Sequence, residues 1–191
     1  MVAAALFLVC WSATRAVGFV SYAATSVFCA SVWLWTRRGV PSQMKAARLA
    51  LVLAVIELIL SLDMVFEWRF ALRFFLEGVF MRHDLYGRRH PYQASALIAV
   101  GLVLILALAA ALRGFRARKG ALLAVSGISI SLALWLIEVI SMHEIDRVLY
   151  HMVDGVMVIA PLWALTCAFT LAGTGAEAWV AASGDAKRKT L

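Results

Sequence analysis

The sequence predicts an all-α protein, a transmembrane helix bundle of about five spans (four to five), with an amphipathic segment at residues 67–93 on one face. Three observations predict it. The 191 residues are 64% hydrophobic and only 15% charged, against about 45–50% and about 25% for an ordinary soluble domain. The apolar residues fall into runs of about 20, the length that crosses a bilayer core as a helix. The lysines and arginines cluster between those runs, and all four lysines fall on one side of the resulting bundle. This composition excludes disorder, collagen, a disulfide-stapled mini-protein and a soluble nucleic-acid binder, because so few charges cannot cover so much apolar surface in water.

Five segments meet the length requirement: approximately 17–36, 46–66, 94–112, 121–142 and 155–174. Residues 1–14 are apolar too, but one helix over residues 2–36 would be about 50 Å long, well beyond the core. They lack the basic start and the small-x-small cleavage site of a signal peptide, so they read as an interfacial or packed N-terminal extension. Residues 1–182 form one membrane-embedded unit, and 183–191 a basic tail ending in Lys187-Arg188-Lys189 and two further residues. Pro161 is expected to kink the fifth span, and the small residues Ser126, Gly127, Ser129, Ser131 and Ala133 to let the fourth pack closely. Cys10, Cys29 and Cys167 sit in apolar stretches with no CxxC pair and read as small packing residues. No internal repeat of the kind found in inverted-repeat transporters is evident.

The connecting segments define two sides. Side A carries eleven cations, including Arg37, Arg38, Lys45, Arg48, Arg113, Arg116, Arg118 and Lys119, against only Glu177 and Asp185. Side B carries seven arginines, nine carboxylates and all four histidines. The positive-inside rule makes side A cytoplasmic, with the N-terminus outside and the C-terminus inside, and suits a plasma membrane such as the bacterial inner membrane. Much of the +7 formal charge is thus a topology signal, and the candidate chemistry concentrates on side B.

Segment 67–93 begins without a break, since no Gly or Pro occurs from Gln43 to Glu77. The second span is therefore expected to run on as a longer amphipathic helix until Gly78. Arg69, Arg73 and Glu77 recur on one of its faces, opposed by Phe66, Phe70, Phe74 and Phe75. The simplest reading is an interfacial helix whose arginines, Arg82 among them, snorkel to headgroups. Further on, Tyr86, Arg88, Arg89, Tyr92 and Gln93 could clamp a phosphate or carboxylate. The alternative there is an aromatic-and-arginine anchor at headgroup level.

Segment 141–154 places His143, Arg147, Tyr150, His151 and Asp154 on one face if it is helical, with Asp146 one turn from His143. Such a set could supply an acid/base pair or part of a metal site, although HExxH is absent and a salt-bridged surface turn is the plainer alternative. Three acids lie within spans. Glu57 is about 16 Å from the side A end of its helix, near the midplane, and Asp63 lies near the side B boundary, one turn before Glu67. Glu138 sits in the side B part of the fourth span. Carboxylates at such depth cost about 2.5–3.5 kcal/mol or more, so they face partners or water, or stay protonated. Tyr22, Thr25 and Ser26 lie at the right depth to partner Glu57.

The stretches Leu85-Tyr-Gly-Arg-Arg-His-Pro-Tyr-Gln93 and Ser141-Met-His-Glu-Ile-Asp146 resemble a group of small bacterial integral-membrane proteins. In that group an interfacial W-Y-x-x-R-R-x-x-Q-like stretch precedes one span and S-x-H-x-x-D follows another. Leu85 stands in place of the Trp, and the Arg88-Arg89 pair lies one position nearer the tyrosine. Tyr86, Gln93, Ser141, His143 and Asp146 match. The resemblance covers about the middle half of the chain and implies a site at these positions, but no particular reaction.

Three functions follow as expectations. The first is a side B pocket for an anionic lipid or similar amphiphile, in a protein that acts alone or as the partner of another membrane subunit. Asp63, Glu67, Arg73, Arg82, Tyr86, Arg88, Arg89, Gln93, Glu138, Arg147 and His151 are its candidate ligand-binding residues. The second is an interfacial hydrolase or transferase acting on a lipid, with His143, Asp146 and Glu57 as candidate catalytic residues. The third is proton- or cation-coupled transport through Glu57, Asp63 and Glu138. No nucleic-acid partner is expected. The residues specify no cofactor or metal: no histidine is mid-span for haem ligation, and no Gly-rich phosphate loop occurs.

Overall fold

Runs of Leu, Val, Ile and Ala longer than 20 residues form continuous helices in lipid, because only an internally hydrogen-bonded backbone is tolerated there. A computed structural model describes residues 12–37, 41–83, 87 and 89–189, without the side chains of 41, 42 and 184–189. Among these residues the apolar runs become five long helices: α1 (Ala13–Thr36), α2 (Pro41–Phe66), α4 (Arg89–Gly114), α5 (Lys119–Ile140) and α7 (Ile159–Lys189). All five are long and apolar enough to cross a membrane, over Ala13–Thr36, Gln43–Phe66, Arg89–Gly114, Lys119–Ile140 and Ile159–Ser183. The chain is a multi-pass membrane protein. On side B lie two shorter helices, α3 (Trp68–Arg82) and α6 (His143–Leu149), and a two-stranded antiparallel hairpin, β1 (Met152–Val153) and β2 (Val156–Met157).

Helices α1, α2, α5 and α7 make the core. Helix α1 packs on α2 and α7, α7 packs along α5, and α4 lies outboard against α5. Tyr22, Leu53, Leu60, Met64, Ile128, Ile159, Trp163 and Cys167 fill the centre. A smaller cluster of Val32, Ala50 and Ala178 closes the side A end. Small residues bring α5 and α7 into backbone contact, as expected for Gly127: a Cβ there would stand 2.7 Å from the Thr166 carbonyl oxygen and 2.8 Å from the Thr170 nitrogen. Ser131 then donates across the seam to Thr166 at 2.7 Å.

Several local expectations need correction. The second span does not continue as one helix beyond Phe66. Glu67 takes a left-handed conformation (φ 56°), and the chain restarts as α3 in a new direction. Asp63 holds this break, its Oδ1 accepting the Arg69 backbone N–H at 2.9 Å. Gly78 lies inside α3 and ends nothing, with no heavy atom near the position of its missing Cβ. Pro161 falls in the first turn of α7, where a missing N–H costs no helical bond, so it starts the span and does not kink it. Residues 143–154 are not one helix either. Helix α6 stops at Leu149, and Asp154-Gly155, both at positive φ (51° and 80°), turn the hairpin. Thr14 fastens that hairpin to the start of α1, its hydroxyl accepting the Met157 N–H at 3.0 Å. Helix α7 carries the chain on through the basic tail to Lys189.

Candidate functional site

The left-handed turn at Glu67 decides which way α3 faces. Its arginine face turns inward and Phe74 and Phe75 turn out, about two-thirds exposed. Arg69 is 3% exposed and carries two buried ion pairs: Nη1 lies 2.7 Å from Asp63 Oδ2, and Nε lies 3.0 Å from Glu138 Oε2. The guanidinium also sits 5.4 Å from the centre of the Trp163 ring. Tyr150 closes this cluster, its hydroxyl donating to Glu138 at 3.5 Å. Burial first, and then the charges of Glu138 and Asp146, push the Tyr150 phenol well above its ordinary range, so it remains an O–H donor. Nearer the surface Arg15 pairs with Glu67 at 2.9 Å and donates to the Met64 carbonyl at 3.1 Å.

One turn along α3 a polar cleft opens, lined by Arg73, Glu77, Arg89, Ser141, His143 and Asp146, with a volume of about 70 Å³. Arg73 is held between Glu77 at 3.4 Å and Asp146 at 3.7 Å. Asp146 accepts a short hydrogen bond from the Ser141 hydroxyl. Ser141 itself is left-handed (φ 49°) and ends α5, where carbonyls lose their helical partners. Gln93 of α4 takes up that need by donating to the carbonyls of Ser141 at 2.8 Å and Ile140 at 3.2 Å. Gln93 and Ser141, 48 positions apart in the chain, therefore meet in space. Gln93→Ala is expected to cost about 1 kcal/mol and to loosen α4 at its side B end, measurable as faster amide exchange around Gln93 than in wild type.

The cleft opens into a second, apolar space. A groove of about 240 Å³ shares Arg73, Glu77 and Arg89 with it and continues between α3, α4 and α5 over Leu76, Phe80, Tyr92, Ala96, Val139 and Ile140. Phe80 and Tyr92 form one wall, ring centres 5.7 Å apart.

Of the candidate residues, Arg73, Arg89, Gln93, His143 and Asp146 gather at this cleft and groove. Asp63 and Glu138 belong instead to the buried Arg69 cluster beneath it. Glu67 pairs with Arg15. Arg82, Arg147 and His151 are exposed and line neither space. Glu57 lies deeper, against Cys167 of α7, away from His143 and Asp146. Tyr86 and Arg88 lie outside the described residues. Among the described residues no group of three or more His, Cys, Asp or Glu side chains could hold a metal ion. Sequence reasoning placed Arg69 on the snorkelling face and gave it no site role; its signal was Asp63 six residues earlier, the acid that could cap and neutralise it. Comparison with protein-family models, curated proteins and solved structures found no match for the chain.

Proposed function

We propose that side B is the extracytoplasmic face of a plasma membrane, the bacterial inner membrane by the resemblance, and that its cleft and groove together bind an anionic lipid or similar amphiphile. The supporting observation is the continuity of the two spaces through Arg73, Glu77 and Arg89, which puts a headgroup-sized polar cleft at one end of a chain-sized apolar groove. Arginine suits the headgroup because its planar fork meets a phosphate or carboxylate with two bonds at once. Glu77 and Asp146 hold Arg73 in place at the cleft. Arg88, adjacent in sequence, adds a further cation to this reading. The groove lies between α3 and the outboard α4, so an acyl chain would enter sideways from the bilayer.

Native mass spectrometry of the protein extracted from membranes tests this reading. Wild type is expected to retain an anionic phospholipid, and Arg73→Ala/Arg89→Ala to weaken that retention about tenfold or more, the loss of one or two charge-assisted hydrogen bonds. Equal retention by the two proteins, or no lipid on wild type, would sink it. A second reading, an interfacial hydrolase or transferase, draws on His143 and Asp146 lining the same cleft beside the Ser141 hydroxyl. It requires His143→Ala to lose function in the cell while still retaining lipid.

A further inference from the structure

The cleft carries as much negative charge as positive, which bears on the headgroup it takes. Arg73 and Arg89 line it together with Glu77 and Asp146. If the two acids served only to hold Arg73, they should grip it as Asp63 grips Arg69. They do not. Asp63 Oδ2 lies 2.7 Å from Arg69 Nη1, whereas Glu77 Oε1 stands 3.4 Å from Arg73 Nε and Asp146 Oδ2 stands 3.7 Å from its Nη1. The last distance is too long for a hydrogen bond, so among the described residues the Nη donors of Arg73 are left to a ligand. The acids keep acceptor capacity as well, since a carboxylate has room for about four hydrogen bonds. Among the described residues the Glu77 carboxylate receives one, from Arg73, and that of Asp146 receives one at Oδ2, from the Ser141 hydroxyl. Asp146 Oδ1 is buried without a partner among those residues.

Donors and acceptors are also sorted by position. Arg73, Glu77 and Arg89 border both spaces, so they stand where the groove gives way to the cleft. With acyl chains in the groove, the phosphate comes to this junction, beside the guanidinium groups. Whatever the phosphate carries next lies among Ser141, His143 and Asp146, which border the cleft alone. Ser141 has given its proton to Asp146 and has only lone pairs to offer, as has the Asp146 carboxylate. The exposed His143 imidazole can donate or accept. A headgroup that ended at its phosphate would add negative charge beside these acceptors and leave them unpaired. On the basis of the lipid reading above, we propose that the bound lipid is a phosphodiester whose alcohol portion carries hydrogen-bond donors, hydroxyls or an ammonium, and that Glu77 and Asp146 select it by accepting them. The arginines hold the phosphate, and the acids read what is attached to it. A site built to accept a hydrogen bond discriminates strongly against an analogue without the donor, because its own polar groups are then left unpaired.

Lipids of equal charge and equal acyl chains test the proposal. Phosphatidylglycerol brings hydroxyl donors, phosphatidylserine an ammonium, and phosphatidylethanol, also a singly charged phosphodiester, neither. The full chain in detergent is offered all of them in equal amounts, and native mass spectrometry reads which it retains. Wild type is expected to retain phosphatidylglycerol, phosphatidylserine or both about tenfold better than phosphatidylethanol, the effect of one hydrogen bond to a charged acceptor. Which of the two prevails identifies the donor as hydroxyl or ammonium. Asp146→Asn keeps an acceptor for the Ser141 proton but puts an amide donor in place of the other oxygen, and Glu77→Gln makes the same exchange at the junction. Each is expected to lower the preference about threefold or more, a ratio within one protein that a general loss of affinity does not move. Equal retention of the three lipids by wild type overturns the proposal and leaves the anionic-lipid reading standing. A preference unchanged in both variants overturns the role given to the two acids. Retention of none of the lipids by wild type removes the anionic-lipid reading and the proposal with it.

Discussion

Replacing Arg69 with methionine is expected to cost about 3–5 kcal/mol, the largest single loss in the protein, because it strands two carboxylates that have given up water. Arg69, Asp63 and Glu138 are each at most 3% exposed, and the one guanidinium serves both acids. Their mutual attraction does not measure what the cluster contributes, since removing three charges from water is itself expensive. The two effects separate in a second protein. Arg69→Met/Asp63→Asn/Glu138→Gln leaves no net charge behind and is expected to recover most of the loss. Thermal melts of the three proteins in one detergent, with size exclusion as a check on folding, provide the comparison. An Arg69→Met protein that melts with wild type would show that the acids are not ionised against the arginine in the native bundle.

The second large effect lies at the other end of the α5–α7 seam. Gly173→Ala is expected to cost about 1–3 kcal/mol, the range for adding a carbon where none fits. The added Cβ would run into the backbone nitrogen of Ala124 and stand 2.6 Å from the Gly120 carbonyl oxygen. Backbone cannot rotate away as a side-chain tip can, so the helices must separate. Separation would also strain the contact in which Glu177 accepts the Ala121 N–H at 3.2 Å and pairs with Arg118. Gly101→Ala in α4 is the control, because nothing lies within 4 Å of its added Cβ. It is expected to be neutral or to stabilise by up to about 1 kcal/mol, since alanine is the better helix former. Similar melting points for the two variants would mean that the seam is looser than its geometry.

The spans were readable in the sequence because bilayer thickness imposes a length on apolar runs, and this chain has little else to signal. Glu57 was readable for the same reason: an acid eleven residues into such a run has nowhere to hide. What the pattern could not show was direction. Arg69 and Arg73 share one helical face and look equivalent along the chain, yet one is sealed in the bundle and the other borders a cleft. The left-handed turn at Glu67, which no apolar periodicity marks, sets Arg69 against Asp63 and Glu138, and Arg73 falls one turn farther along, against Glu77 and Asp146. The hairpin was signalled, by Asp154-Gly155, the dipeptide suited to a tight turn, but helical spacing of the histidines and tyrosine drew the opposite reading. The meeting of Gln93 with Ser141 spans 48 positions along the chain and depends on α4 lying beside α5, a packing choice that local sequence does not encode.

The bond between Asp63 and Arg69 has a consequence for biogenesis. Both carboxylate oxygens of Asp63 are engaged by a residue only six positions later. As the polypeptide leaves the ribosome, this acid can enter the membrane with its charge already neutralised, before any later span exists. Glu138 must wait, for its share of the guanidinium becomes available only when α5 arrives beside a partner that is already in place. The order of synthesis therefore matches the order in which the buried charges can be tolerated: a two-body pair first, completed by the third member when the fourth span inserts.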